Sequence, residues 1–529
     1  MAKFMENKEL VEKMESMHID INRTEEILDR YNDGEYANIE PIQAKEIPSI
    51  DGKNVLDMET ENSWKFPLEK VKEVFDTFEI NLSLRDIGRH TDEGIEFKRK
   101  ELKEIGIRLF PYVSYGVLNG GSATSYADNK KNKKFNEDLF NLVQKEFTNL
   151  AALSRGRAKG LTPAYVNPDG TPGLSFLQLK MRALLIQALE YQVRAGEQDT
   201  TALYPMFQMT SVYNNEEVHS EYEAYADINC ISDVVELSGI PITRVETGIQ
   251  PMLAAFTHSK EGPVKNVFTK AHGKENTPLA LPGGHGQNFS VLKNVYKRLY
   301  EQGKRFVYLG NVDNLGFTVD PVGVAMLALS GKEAAFEFSF KTPVDVKGGV
   351  LVRDQNEKFN CADIGPAISK EAIAKEEESG KQILFNCATG LFDLEYLIQN
   401  IDRIIEQLPV RFTDQDKDVG QYSQAEQITW EVLGITENPL IYGVSKYRRF
   451  LAAKLLLETL MTSGYKIDDP GYPEDEKPEN NLRSLAGKLN KGLEEKLSTV
   501  YGMKNTGSRW VPIPIEELKE RILLSVENI

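Results

Sequence analysis

Residues 109–121 read LFPYVSYGVLNGG. An unbroken apolar and β-branched run that stops on glycines marks a strand buried on both faces, as in parallel sheets. Downstream the chain alternates. Further strand candidates are YPMFQMTSV (204–212), RFVYLGNV (305–312), AAFEFSFK (334–341), GGVLVRD (348–354) and QILFNCA (382–388), with helix-period segments at 175–195, 289–302 and 394–408. That alternation predicts an α/β layer with a mostly parallel sheet. In such sheets the ligand lies beyond the carboxyl ends of the strands, so chemistry is sought where strands end.

The expected organisation is an α/β domain over 108–456, a mainly helical N-terminal region over 1–107, and a linker with a helical C-terminal region over 457–529. In the first region PLEKVKEVFDTFEI and GIEFKRKELKEI are expected as helices, and NIEPIQAKEIPSIDGKNVL as an extended linker. The basic segment DNKKNKKFNEDLF (128–140) is either a solvated loop or a local attractor for anions.

Composition excludes several classes. The 529 residues carry 63 Lys and Arg against 80 Asp and Glu, a net charge of −17. A binder of nucleic-acid backbones needs a basic footprint, so no nucleic-acid partner is expected, although a small anion in a local basic pocket is not excluded. Cys230, Cys361 and Cys387 are far apart and form no metal or disulfide pattern, which fits a reducing cytoplasm. The opening MAKFMENKELVEKMESMHID has no apolar core of a signal peptide. No run nears the ~18 apolar residues of a membrane span, so a cytoplasmic protein without a membrane partner is expected. Nothing in the sequence bears on oligomeric state.

Six segments hold the polar residues of interest. In VLNGGSATS (117–125) a strand runs into Leu118, Asn119, Gly120 and Gly121, then into Ser122, Thr124 and Ser125. This is either a tight turn or a loop whose backbone N–H groups cradle phosphate. AKGLTPAYVNPDG (158–170) sets Lys159 before a turn and a short strand, where by itself it reads as an exposed lysine. LPGGHGQNF (281–289) frames His285 with glycines at a loop-to-helix junction, where the backbone can approach a flat ring. In FVYLGNVDNLGFTVD (306–320) Asp313 follows a strand, which suits a hard cation held by one carboxylate and substrate phosphates, or an Asx turn. FKTPVDVKGGVLV (340–352) carries Lys341, Asp345 and Lys347. GVSKYRRFLAAKLLLETL (443–460) places Lys454 on an otherwise apolar helix, aimed at an anion or snorkelling to the surface.

In this order the motifs resemble those of the UTP-dependent sugar-1-phosphate uridylyltransferases, the UDP-glucose and UDP-N-acetylglucosamine pyrophosphorylases, and most closely the UDP-glucose branch. LNGGSAT (118–124) is similar to the family's L-N-G-G-L-G-T, and PGGHGQ (282–287) to P-P-G-H-G-D. NVDNLGFTVD (311–320) is similar to N-x-D-N-L-G-A-x-V-D, KTPVDVKGG (341–349) to K-T-x-x-D-V-K-G-G, and RFLAAK (449–454) to R-F-L-P-V-K. The resemblance spans about 109–455 and implies a Rossmann-like nucleotidyltransferase domain with a mixed, mostly parallel sheet. It implies transfer of a uridylyl group from UTP to a sugar 1-phosphate with Mg2+ as cofactor, most directly glucose 1-phosphate.

By the same resemblance Leu118, Asn119, Gly120, Gly121, Gln250 and Gly284 bind the nucleotide, and Gln250 reads uracil. His285 and Asn386 meet the sugar nucleotide, Asp313 holds the metal, and Lys159 and Lys454 serve the phosphates. Residues 127–157 are an insertion between loop and lysine. The departures are Ser122-Ala123 for Leu-Gly, which strains Ala123 if that position needs a positive φ, and Ala452-Ala453 for Pro-Val. FNCAT (385–389) for F-N-T-N-N lacks two amides and leaves N-acetylglucosamine or galactose 1-phosphate as alternatives. A non-catalytic sugar-nucleotide binder is the alternative of another class, although binding alone has no need of the metal carboxylate.

Overall fold

The computed structural model describes residues 3–123, 126–196, 204–342, 345, 348–474 and 481–527. Its centre is a ten-stranded sheet. In chain order the strands are β1 (Val55–Asp57), β2 (Val113–Leu118), β3 (Met206–Ser211), β4 (Glu246–Gln250) and β5 (Phe306–Asn311), then β6 (Ala334–Phe340), β7 (Gly349–Arg353), β8 (Phe359–Asp363), β9 (Leu384–Asp393) and β10 (Leu440–Val444). Across the sheet the order is β1-β10-β6-β9-β5-β2-β3-β4, with the β7–β8 hairpin paired to β9 through β7. The mixed α/β architecture with a largely parallel sheet is as expected. β9 is the strand on this path that runs against its neighbours, lying antiparallel between β5 and β6. Its first half therefore sits at the same edge as the carboxyl ends of the parallel strands.

The register levels those ends. Leu118 pairs with Asn311 and with Met209, and Ser211 pairs with Gln250. The crossover from β2 to β3 uses the helix Phe176–Ala195, opened by a Ser175–Gln178 capping box and closed at Gly196 with φ 71°. This helix is buried along nearly its whole length, with Lys180 and Arg182 almost fully enclosed. One core covers this face of the sheet and takes in Trp64 and Phe97 from the N-terminal region and Leu493 and Leu497 from the C-terminal region. A second core on the other face gathers Phe289, Leu299, Leu397 and Ile401.

Several local expectations are corrected. GIEFK is a strand, Gly94–Lys98, in a three-stranded antiparallel sheet with Ser63–Phe66 and Arg89–Thr91, and the helix starts only at Arg99. Ile95 and Phe97 alternate onto a buried face, a period of two that the charged residues beyond them obscured. The end of the presumed linker supplies β1, which pairs in parallel with β10. Residues 128–140 are not a loop but part of two short helices, Asn129–Phe135 and Glu137–Leu142, capped by Asp128 and Asn136. The tail after the helix Leu482–Thr499 holds a hairpin, Met503–Asn505 with Trp510–Pro512, and a last helix, Ile515–Glu527. Among the described residues no helix is long and apolar enough to cross a membrane.

Candidate functional site

The loop after β2 is held from below. Asn119 is fully buried, its Oδ1 accepts the Gly160 N–H at 3.0 Å, and its carbonyl accepts Asn214 Nδ2 at 3.0 Å. Its own Nδ2 has no partner among the described residues. The loop then runs beside 157–159: Ser122 bridges Ala158, Ala123 N–H donates to the Arg157 carbonyl at 3.0 Å, and Lys159 N–H donates to the Gly121 carbonyl at 3.1 Å. Ala123 is not among the residues with positive φ, so the strain expected there does not arise. A Cβ on Gly120 would stand 2.8 Å from Gln250 Oε1, so a larger residue there would have to displace that side chain. At Gly121 a Cβ would meet nothing within 4 Å, which leaves its backbone open to a ligand. Thr124, Ser125 and Lys347 lie outside the described residues.

Lys159 is buried, and its ammonium donates to the Ala453 carbonyl at 3.0 Å while standing 2.9 Å above the Tyr126 ring. Burial lowers this lysine to about 7, against the pull of Asp313 and Glu458. Lys454 is exposed and does not lie on a helix as expected. A four-residue helix ends at Arg449 and the next starts at Leu456. The break between them is stapled to the loop after β5, with Asn314 Oδ1 accepting Leu451 N–H and the Leu451 carbonyl accepting Leu315 N–H. Glu458 caps the turn by accepting the N–H groups of Lys454 and Leu455 at 2.7 and 2.8 Å. Asp313, half-buried, has no hydrogen bond or ion pair among the described residues, and its charge reaches Lys159 and Tyr126. Among the described residues there is no group of three or more His, Cys, Asp or Glu able to hold a metal. A lone unpaired carboxylate fits a magnesium ion that draws its other ligands from substrate phosphates and water.

Gln250 joins two loops. Its Nε2 donates to the Gly284 carbonyl and to Gln287 Oε1, both at 2.8 Å, and its Oε1 faces Gly120. The glycines around His285 have a packing role as well. A Cβ on Gly284 or Gly286 would collide with the backbone of Gln427, whose carbonyl accepts the Gly286 N–H. His285 Nδ1 accepts the Thr429 N–H at 3.1 Å. Burial, and then the Lys454 ammonium, push the ring down to about 4. It is thus neutral with its proton on Nε2. Asn386, on β9, accepts the Ala388 N–H at 2.8 Å through its Oδ1. Ala388 sits at φ 51°, a left-handed position that an asparagine occupies with less strain.

The structure therefore brings Gly120, Gln250, Gly284 and His285 to one edge, with Asp313, Lys159 and the Lys454 segment beside them. Lys341 instead pairs with Glu377, and Asp345 with Lys446. Sequence reading missed Lys180, whose buried ammonium donates to the Asn314 and Phe317 carbonyls at 2.5 Å and so fixes the loop that carries Asp313. A lone lysine inside the apolar run at 175–189 was the available signal. It also missed Tyr126 and Thr429, which act through contacts remote in the chain, and Glu458, which caps the turn three and four residues before it.

The family model described as UTP–glucose-1-phosphate uridylyltransferase matches residues 175–464. Gln250, Gly284, His285, Asp313, Asn386 and Lys454 fall inside that stretch, while Leu118–Gly121 and Lys159 precede it. A UTP–glucose-1-phosphate uridylyltransferase of Musa acuminata is 26% identical over 218 residues, 41% of this chain and 42% of the relative. One from Astragalus penduliflorus is 42% identical over 73 residues, 13% of this chain and 16% of the relative. The chain thus spans less than half the length of the curated relatives it matches. Among solved structures, a UDP-glucose phosphorylase of Trypanosoma brucei superposes with TM-score 0.52 at 17% identity, covering 86% of this chain and 77% of that one. A uridine diphosphate N-acetylglucosamine pyrophosphorylase of the same organism gives TM-score 0.51 at 16% identity, covering 81% and 74%. At these identities the likeness is one of fold.

Proposed function

The chain belongs to the UTP–glucose-1-phosphate uridylyltransferase family, and from that membership we propose that it joins UTP to a sugar 1-phosphate, glucose 1-phosphate foremost, with release of pyrophosphate. The observation that carries the reading is the Lys159 ammonium on the carbonyl of Ala453, which draws Lys159 and the Lys454 segment together beside the unpaired Asp313. A phosphate oxygen of the sugar attacks the α-phosphorus of UTP in line. The new O–P bond forms as the bond to the β-phosphate oxygen breaks, and pyrophosphate leaves with that electron pair. Both reactants carry what the step needs, so the protein supplies position and charge rather than a nucleophile.

Lys159 and Lys454 balance charge on the triphosphate. Both Nε2 protons of Gln250 are engaged, so its Oε1 remains to accept the imide N–H of uracil, a proton that cytosine lacks. The neutral His285 offers Nε2–H to a phosphate or sugar oxygen. Asp313 is the residue to hold magnesium, which when bound adds positive charge against the phosphates. Three unpaired thiols support a reducing compartment, the cytoplasm.

The test is pyrophosphate release from UTP and magnesium with glucose, N-acetylglucosamine and galactose 1-phosphates, and with CTP as the nucleotide control. Fastest release with glucose 1-phosphate and little with CTP is expected. Silence with every sugar while UTP still binds would overturn the enzyme reading in favour of a sugar-nucleotide binder.

A further inference from the structure

A cavity of about 430 Å³ lies where the N-terminal region, the sheet layer and the C-terminal helix meet. It is not at the edge described above. Its walls come from the helix Arg99–Arg108, the helix Phe176–Ala195, the segment Thr318–Pro321, Arg448-Arg449 and the helix Leu482–Thr499. Five cations, Arg99, Lys103, Arg448, Arg449 and Lys496, line it together with the carboxylates Glu59, Glu190 and Asp320.

Each carboxylate is already engaged, and two of them, Glu190 and Glu59, also stand near cations of the cavity, Lys103 and Arg448. Asp320 caps the helix Pro321–Ser330 by accepting Val322 N–H at 3.0 Å, Glu59 accepts Ser445 N–H at 2.9 Å, and Glu190 pairs with Arg194 at 3.3 Å. Arg449 is spent on the buried Glu337. Lys103 and Arg448 are half-exposed, Lys103 in a loose pair with Glu190 at 3.6 Å and Arg448 between Glu495 at 3.2 Å and Glu59 at 3.5 Å. Lys496 has no hydrogen bond or ion pair among the described residues. Burial, and then the neighbouring Arg449, lower its ammonium to about 8 against the pull of Asp320, Glu337 and Glu495. A cation in such a place is costly unless an anion joins it.

We propose that this cavity is a second anion site, which takes a small phosphate-bearing metabolite on Lys496, with Lys103, Arg99 and Arg448 at its mouth. Charge-assisted hydrogen bonds from lysine and arginine suit phosphate oxygens, and the volume lies in the range of small-ligand sites. Its occupant bridges both end regions to the core, so binding stabilises the whole fold. The inference stands on the cavity and does not depend on the proposed reaction.

The test follows the thermal midpoint and binding heat of the full chain with inorganic phosphate and with glucose 6-phosphate as probes. Both wild type and Lys159→Met are expected to be stabilised at millimolar probe, with affinity at least about tenfold weaker in Lys496→Met. Stabilisation by phosphate alone identifies the free ion as sufficient. Stabilisation by the sugar phosphate alone assigns the site to the larger ligand. Should Lys496→Met fold poorly, the paired mouth substitutions Lys103→Ala and Arg448→Ala carry the same expectation. No stabilisation of wild type, an unchanged response in these variants, or a response lost in Lys159→Met would overturn the proposal, the last by placing the anion at the nucleotide edge.

Discussion

Lys159 shows how a single side chain can be poised for a polyanion. Enclosed against Tyr126 and lowered to about 7, it is mostly neutral at pH 8 in the free protein. A triphosphate beside it favours the ammonium, so UTP binding at pH 8 is expected to take up a proton. Calorimetry in buffers of different ionisation heat measures that uptake. It should approach one proton in wild type and vanish in Lys159→Met, and a buffer-independent heat in wild type would contradict the assignment. For stability, the unfolded lysine, at 10.5, binds a proton that the folded one refuses. Stability of the free protein therefore gains a rising contribution between about pH 7 and 10.5, and bears the full cost of burial below 7. Such a shift was not legible in AKGLTP, because it depends on burial in the folded chain and on Asp313 and Glu458, which lie far away in sequence. The phosphate role of Lys159 came from the resemblance.

At the scale of elements, the loop after β5 is the part that must be rigid. Lys180 reaches it from the crossover helix and donates to the Asn314 and Phe317 carbonyls. Lys180→Met leaves both carbonyls without that donor and is expected to cost about 1–3 kcal/mol in chemical denaturation. Because Asp313 rides on the same loop, the magnesium concentration for half-maximal turnover should rise as well. A stability loss with unchanged metal dependence would reduce Lys180 to a packing role. Long strands and helices of strong period, such as β2, β5 and Phe176–Ala195, were legible. Gly94–Lys98 and β1 were not, because three to five residues carry too little pattern and their pairing partners are remote. The break at Phe450–Leu455 was hidden too, since the apolar spacing of 443–460 continues across it while Asn314 and Glu458 hold the backbone open.

Across the whole molecule the sheet order does what no segment does alone. It sets the carboxyl ends of β2, β3, β4 and β5 level and turns β9 to start at the same edge. The α/β class and that edge followed from the alternation of strands and helices. The antiparallel course of β9 did not, since direction leaves no trace in composition. The segment 127–157 is likewise integrated, with Asn132 Oδ1 accepting Leu457 N–H at 2.8 Å, and Tyr126 just before it bonds Thr459. Lys159 and the Lys454 segment, distant in the chain, are thereby brought together, and the proposal that both lysines act on one triphosphate is tested by a double-mutant cycle on turnover of UTP with glucose 1-phosphate. Lys159→Met and Lys454→Met should each lower kcat by about a hundredfold or more, and the pair by clearly less than the product of the two. Near-normal kcat in either single variant, or losses that multiply strictly, would contradict it.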